Sequence, residues 1–476
     1  MGIPENELHD VKNIVKSLLE VVEKRANVVW TSPLSDYYKI LATNVFVHSS
    51  VEYFLWTQSF NITDIRRIDE SIRNIMNANK AKYKLQINNS LYLPRNKGGR
   101  GLKNMEMIYK STKIKSAIKL INDTDPRMIL VRKFEILRMK RNRRSIISEA
   151  CRFSKDDFDA NFEIVDESFN FEFKKDDETI RTTDLNKIVK YIKHKQAVMI
   201  EESISNSTWQ GVLLHDRWND PELCIKECFM WNYKWKTCSV EVINDIHSIY
   251  LQTVPTLAFT ESRGGNPSSS RNCRMCKNNE IESVKDLLSH CETFLGTMYK
   301  RRHDKALQFI LFNFLFKEKI IERCPPWYSN VEIKKRYQSN EIEVIWDIPE
   351  YTGEENEDEN KLLRPDGKII LEKRNLIFVL EQSVPWIKNR EEKILEKENK
   401  YKNIIRKIKI ENPNYDVKQL TFIIDCLGGF SKSLVENLGE LGFTSYEKET
   451  ILIGLQKILL SEARMLINHF KIMTNL

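Results

Sequence analysis

The sequence predicts a multidomain chain of class α + α/β. It reads as helical to about residue 260, with a short cysteine-rich segment and then a C-terminal domain of alternating strands and helices. Three observations carry that expectation. Apolar residues recur at helical spacing through the first 85 positions and again beyond the loop that follows them. Cysteines and a histidine crowd between Cys273 and Cys291. After about Trp327, short runs rich in Ile, Val, Leu and Phe alternate with helical ones. The length, 476 residues, is more than one hydrophobic core usually serves, so about two to four domains are expected. The divisions fall at 1–90, 91–260, 261–315 and 325–476.

The first helix is read from Val11, Ile14, Val15, Leu18, Leu19 and Val22. A second follows at DYYKILATNVFVHSSVEYFLW and a third at ITDIRRIDESIRNIMNANK, where Thr63 is the candidate cap. The glycines of YLPRNKGGRGL, at 98, 99 and 101, mark a tight loop. Helices resume over Lys113–Ile121 and Pro126–Ala150. Between Ser154 and Glu178 the composition turns acidic and aromatic, the mark of an insertion or boundary. Helix then runs to about Ala258, and ESRGGNPSSSRN reads as a flexible loop. The predicted strands are EIEVIWDI, GKIIL, NLIFVL and LTFIIDCL. The predicted helices among them are EEKILEKENKYKNIIRKIKI and SLVENLGEL, and GEENEDENK is a surface loop.

Charge is unevenly placed. From Arg66 to Arg144 there are 22 Lys and Arg against 6 Asp and Glu, a local charge of +16, which leaves −8 for the rest. Such a block, with the helix VRKFEILRMKRNRR at its centre, points to a surface that tracks phosphates. Arg138, Lys140, Arg141, Arg143 and Arg144 are its candidate contacts. Arg95, Lys97 and Arg100 of the glycine loop are further candidates, because small neighbours let them approach phosphates closely. No apolar run is long enough to span a membrane, and the N-terminus lacks the pattern of a secretory signal. Nine cysteines in this length do not make a disulfide scaffold, so a reduced intracellular setting, nuclear or cytoplasmic, is expected.

The chemistry is read from RPDGKIILEKRNLIFVLE. If EKRN is a hairpin turn centred between Lys373 and Arg374, Asp366 and Glu381 face each other, with Cβ atoms roughly 5 Å apart. Two buried like charges repel, and a divalent cation between them, Mg²⁺ or Mn²⁺, is the natural compensator. Such a cation also activates water for attack on a phosphodiester. A Glu solvated at a sheet edge, or a register shifted by one residue, would produce the same letters. Asp347, ending EIEVIWDI, is a possible third acid, and Lys397 or Lys400 an ammonium able to steady developing negative charge. Cys273 and Cys276, then His290 and Cys291, have the composition of a tetrahedral zinc site, with Asp286 as an alternative oxygen ligand. Cys224 and Cys228 read as core residues.

Arg364-Pro365-Asp366, then Glu381, Val384-Pro385-Trp386 and the helix holding Glu396-Lys397-x-x-Lys400-Tyr401 resemble the restriction-enzyme-like endonuclease of non-LTR retrotransposons. That domain belongs to the PD-(D/E)xK nuclease class. In the family the lysine has moved to the following helix, and here Ser383 fills the ordinary lysine position. The resemblance therefore implies Asp366 and Glu381 as metal ligands and Lys397 or Lys400 as the lysine. LGGF at 427–430 resembles the family's later glycine turn. The cysteine cluster resembles the zinc knuckle that precedes the nuclease, and Tyr299-x-x-Arg302-His303 also fits. At the family's usual histidine position this chain has Asp286, so either Asp286 or His290 is the implied fourth ligand. GIPE, DYYKILATN, IRRIDESIR and LYLPRNKGGRGL resemble the reverse transcriptase thumb, which makes 1–90 a thumb-like domain and 91–260 a basic linker.

The resemblance covers nearly the whole chain but only the C-terminal part of such a polyprotein, without polymerase fingers and palm. The two Asp-Asp pairs, Asp156-Asp157 and Asp176-Asp177, sit in the acidic segment without flanking strands, so no polymerase activity is expected. The implied function is nicking of target DNA for target-primed reverse transcription. The partners would be DNA, the element RNA and a polymerase acting in trans. The alternative is a nucleic-acid-binding remnant or domesticated protein without catalysis.

Overall fold

The computed structural model describes residues 11–165, 168–176, 178–223, 225–265, 271–277, 279–347 and 364–475. GIPE, Cys224, GEENEDENK and residues 266–270 of the serine-rich loop lie outside them. Helix and sheet are mixed in the chain, as the predicted class requires, and it divides into two compact units. One runs to Val212 and adds Lys236–Asn244; the other joins Leu213–Trp235 to everything from Asp245 onward. Residues on both sides of position 90 share the first unit, and the cysteine segment and the α/β region share the second.

In the first unit, α1 (Val11–Thr31) buries Ile14, Val15, Leu18 and Val22, the face that its spacing predicted. Helix α2 (Ile62–Ala78) buries Ile65, Ile68, Ile72 and Met76 in the same core, and its N-cap is Asn61 rather than Thr63. The run expected over Pro126–Ala150 is two helices. After α3 (Met105–Asn122), α4 (Pro126–Lys140) and α5 (Ile146–Phe158) are separated by a turn in which Asn142 takes φ 55°. Side chains of Asp125 and Ser145 cap the two.

The acidic, aromatic stretch, expected as an insertion or boundary, has regular structure of its own. It is a three-stranded antiparallel meander, β1 (Ala160–Val165), β2 (Ser168–Lys175) and β3 (Glu178–Thr182). Phe162, Phe169, Phe171 and Phe173 enter the core, while Glu163 and Glu172 stand on the other face. Alternation with period two is the strand signature. The expectation that the Asp-Asp pairs lack flanking strands is therefore corrected for Asp176, which sits in the turn after β2. Its side chain is 88% exposed and faces Lys175.

The glycine loop has a different role from the one predicted. A Cβ at Gly99 would fall 2.1 Å from the Leu93 carbonyl oxygen, so the loop is pressed against its own backbone. Arg100 is buried and donates to the Ala81 carbonyl and to Asp36; Arg95 donates to Asp36 at 2.8 Å. A buried carboxylate needs its counter-charges. Both arginines are thus internal partners of Asp36, not phosphate contacts. Lys97 pairs with Glu201 (2.6 Å), and Arg144 holds Glu149 and the Phe60 carbonyl. Arg138 keeps partial exposure, and Lys140, Arg141 and Arg143 face solvent. Helix α4 is not a uniformly basic rod, because Leu130, Phe134 and Leu137 are exposed on it as well.

The second unit is built on a five-stranded sheet, β4 (Arg336–Gln338), β5 (Ile342–Trp346), β6 (Gly367–Leu371), β7 (Leu376–Ser383) and β8 (Asp416–Ile423), in that spatial order. Neighbours are antiparallel except β7 and β8, which are parallel. A parallel pair needs a crossover, and α6 (Arg390–Glu411) supplies it. Ile377 and Val379 of β7 pack with Tyr401, Ile404 and Ile408 of α6. Phe378 and Leu380 lie in the opposite core, with Leu311 and with Leu455 and Leu459 of a long helix, α7 (Ser445–Met473). Coverage on both faces explains why NLIFVL is a continuous apolar run. Helix α7 is not among the elements predicted from sequence.

Behind β8 the chain turns at Asp425, fully buried, whose carboxylate accepts from Arg217 (2.7 and 3.0 Å) and from Arg390 Nη1 (3.0 Å). The backbone amides of Leu427 and Gly429 donate to the same group. A Cβ at Gly429 would lie 1.7 Å from Arg217 Nη1, which accounts for glycine in LGGF. Because Arg390 opens α6, this network ties the start of that helix to the end of β8. Breaking such a buried pair from one side costs about 3–5 kcal/mol. Among the described residues, no helix is long and apolar enough to cross a membrane.

Candidate functional site

Pairing of β6 with β7 sets Gly367 opposite Leu380 and Leu371 opposite Leu376, the register that a turn centred between Lys373 and Arg374 demands. One step further along, Asp366 meets Glu381. The Asp366 amide donates to Glu381 Oε1 (3.3 Å), and the Gln382 amide donates to Asp366 Oδ2 (2.8 Å). Glu381 is fully buried. Its Oε2 accepts from Lys397 Nζ at 2.8 Å. Lys397 stands on α6, where its carbonyl accepts from Gln419 of β8 (3.2 Å). One turn on, the Tyr401 hydroxyl donates to the Arg364 carbonyl (3.0 Å) and so anchors the approach to Asp366.

His303 completes the pocket. It lies on α-helix Lys300–Lys317, and its Nε2 is 3.2 Å from Asp366 Oδ2 and 3.0 Å from the Gln382 carbonyl oxygen. Its Nδ1 meets Asp304 (3.0 Å). In the sequence, His303 is visible only as part of Tyr299-x-x-Arg302-His303, and nothing in that motif places it with the acids.

The environment drives the two carboxyls apart. Burial and repulsion from Asp366 push Glu381 up to about 7, against the pull of Lys397. Burial acts on Asp366 in the same sense, but the hydrogen bond and charge of His303, with Lys397, hold it below the usual carboxylate range. Burial works against the charged form of His303, yet Asp304 and Asp366 together raise it to about 10. The pocket thus holds an ionised acid beside one that takes a proton near neutrality, the usual arrangement for acid–base work. It is also less in need of an added cation than the sequence suggested, because His303 and Lys397 already offset the acids.

The other predicted residues separate from these. Asp347 is turned toward Lys335 (3.1 Å) and Arg364 (3.9 Å) and does not gather with the pair, so the third-acid expectation fails. The backbone explains this: the Asp347 amide bonds the Asp366 carbonyl (3.1 Å), and its side chain takes a separate course at φ 46°. Lys400 is exposed, its ammonium 4.9 Å from the Tyr401 ring, while Lys397 reaches Glu381.

The cysteine segment forms a short hairpin, bridged at Asn272 and Ile281 and held by the Arg274–Glu282 pair (2.6 Å). The Sγ atoms of Cys273, Cys276 and Cys291 lie within 4.8 Å of one another, the group that can hold a metal ion among the described residues. Neither Asp286 nor His290 joins them at that spacing. Asp286 is nevertheless buried, with no N–H or O–H donor on either carboxylate oxygen, and its contact with the Cys273 thiol helps push that thiol up, after contact with Cys291 and burial. His290 is exposed, with its Nδ1 on Ser289 Oγ (2.7 Å). Cys228 is a core residue, as expected.

A glutamate loses its proton near 4.5 in water, and Glu381 loses it near 7 here. Between those values the folded chain keeps a proton that the unfolded chain releases, so stability falls as pH rises through that window. Without added divalent cation, the wild type is expected to lose on the order of 2 kcal/mol more than Glu381→Gln between pH 5 and pH 8. Urea denaturation of both proteins at the two pH values measures it. No protein-family model and no curated protein matches this chain.

Proposed function

We propose that this chain is a retrotransposon-derived, divalent-metal-dependent DNA endonuclease that nicks target DNA for target-primed reverse transcription. One observation carries the reading: Asp366 and Glu381 face each other at the end of one hairpin, with Lys397 bonded to Glu381. The resemblance of these residues and their surroundings to the retrotransposon nuclease adds the substrate. The donors at the pocket are hard oxygens, the two carboxylates and the Gln382 carbonyl, a set suited to Mg²⁺ or Mn²⁺. When bound there, such an ion would supply Lewis acidity and a water of lowered pKa. Asp366 and Glu381 would hold it. The Lys397 ammonium, fixed at Glu381, lies where it can offset negative charge growing on a phosphodiester. Arg138, Lys140, Arg141 and Arg143 are the exposed cations left to contact DNA or the element RNA, and polymerase activity would have to come from another protein.

In the nuclease reading, Asp366→Ala lowers nicking of supercoiled plasmid in Mg²⁺ or Mn²⁺ by at least about a hundredfold. Lys397→Ala costs about 10²–10³, comparable to losing one transition-state donor, while Lys400→Ala changes the rate little. Equal nicking by wild type and Asp366→Ala, or none by either, contradicts it. A second reading, a nucleic-acid-binding remnant or domesticated protein without catalysis, has one observation in its favour: His303 and Lys397 balance the acids without a metal.

Zinc at Cys273, Cys276 and Cys291, with Asp286 as the fourth ligand, is part of the same proposal. A buried carboxylate with no N–H or O–H donor, in contact with one of the three thiols, is the feature that supports Asp286 over His290. Metal analysis of purified protein should find about one zinc per chain in wild type and His290→Ala, and a large loss in Cys276→Ser and Asp286→Ala. Loss in His290→Ala with retention in Asp286→Ala would reverse the assignment.

A further inference from the structure

The helix Lys300–Lys317 touches both candidate centres within its first turn. On one side, the Tyr299 hydroxyl, just ahead of the helix, donates to the Leu287 carbonyl (2.7 Å) and accepts from the Cys291 amide (3.2 Å). Arg302 Nη1 donates to the Leu288 carbonyl (2.9 Å). These three partners belong to the cysteine segment between Asp286 and Cys291. On the other side, Arg302 Nη2 reaches the Val384 carbonyl (3.4 Å), just past β7, and His303 bridges Asp366 and the Gln382 carbonyl.

Two features make these contacts more than packing. Arg302 is 3% exposed, with Nε lacking a partner, and has no carboxylate within ion-pair distance among the described residues. A buried cation held by carbonyl dipoles is a costly choice where an apolar side chain would pack. The carbonyls that it holds lie on the cysteine segment and beside the acidic strand. The second feature is the division of labour on Asp366. Oδ2 is saturated by the Gln382 amide and His303, and no donor among the described residues bonds Oδ1. His303 therefore fixes the carboxylate's rotation and leaves one oxygen open.

We infer that His303 is a positioning residue for Asp366, set in place by the cysteine segment through Tyr299 and Arg302, so that order in the segment governs cation affinity at the acids. This rests on the nuclease reading. Residues that orient a ligand from behind commonly change metal affinity by 10–100-fold when removed. The role concerns orientation, and a glutamine nitrogen placed at the Nε2 position can make the same bond to Asp366.

The test is Mn²⁺ binding to the full chain, read from the free-Mn²⁺ electron paramagnetic resonance signal, with thermal unfolding followed for every variant. Wild type binds Mn²⁺, and His303→Leu binds it 10–100-fold more weakly. His303→Gln recovers most of that loss. Cys276→Ser, far from the acids in sequence, weakens Mn²⁺ binding about tenfold. Equal affinity in His303→Leu and wild type overturns the role of His303. His303→Gln binding as weakly as His303→Leu overturns it too, because the bond to Asp366 would then not be what matters. Unchanged affinity in Cys276→Ser overturns the link to the cysteine segment. No Mn²⁺ binding by wild type brings down the nuclease reading along with this inference.

Discussion

A hairpin that slipped by one residue would send Asp366 and Glu381 to opposite faces of the sheet, and the rest of the pocket depends on its not doing so. Register is held from three directions. The turn at Glu372–Arg374 closes with Asn375 in the left-handed region, φ 46°, a conformation that asparagine tolerates. β7 is apolar on both faces, so a slip would exchange the residues fitted to the α6 layer with those fitted to the α7 layer. The amides of Asp366 and Gln382 each bond the opposite carboxylate, which continues the ladder past the last apolar pair.

Electrostatics then separates two acids that geometry makes alike. Glu381 is enclosed by strands on both sides, with Thr421 its neighbour on β8, and loses its water. Asp366 sits at the strand's mouth, partly exposed, and gains a histidine. The fold imports both cations from elsewhere: Lys397 from the crossover helix, whose start is clamped by Asp425 through Arg390, and His303 from the helix beyond the cysteine segment. A chain that balances its acids internally needs no ion to fold, and in the nuclease reading a metal would meet a pocket already shaped.

Where neighbouring letters decide the structure, the sequence was legible. The turn EKRN gave the register, and the run NLIFVL gave a strand buried on both faces. Lys397 was one of two lysines named, because Ser383 fills the ordinary lysine position and the resemblance moves that lysine to the following helix. Phe-x-Phe-x-Phe in the acidic stretch is a strand alternation that composition concealed. Other features depend on partners remote in sequence. Arg95 and Arg100 look like phosphate contacts until Asp36 is known to lie beneath them, and no local pattern reveals that a buried carboxylate holds both. His303 is separated from Asp366 by two strands and a loop, so its motif was visible while its place at the acids was not. Asp347 failed for the same kind of reason, since Lys335 lies across the β4–β5 pair and takes its charge.

The central claim is that one end of the β6–β7 hairpin binds a divalent cation through Asp366 and Glu381. Anomalous diffraction from crystals soaked in Mn²⁺ tests it directly. The account predicts a peak within about 2.0–2.3 Å of an oxygen from each of the two carboxylates, absent from Asp366→Ala crystals. A peak confined to other positions, or none at a concentration that fills ordinary Mn²⁺ sites, would contradict it.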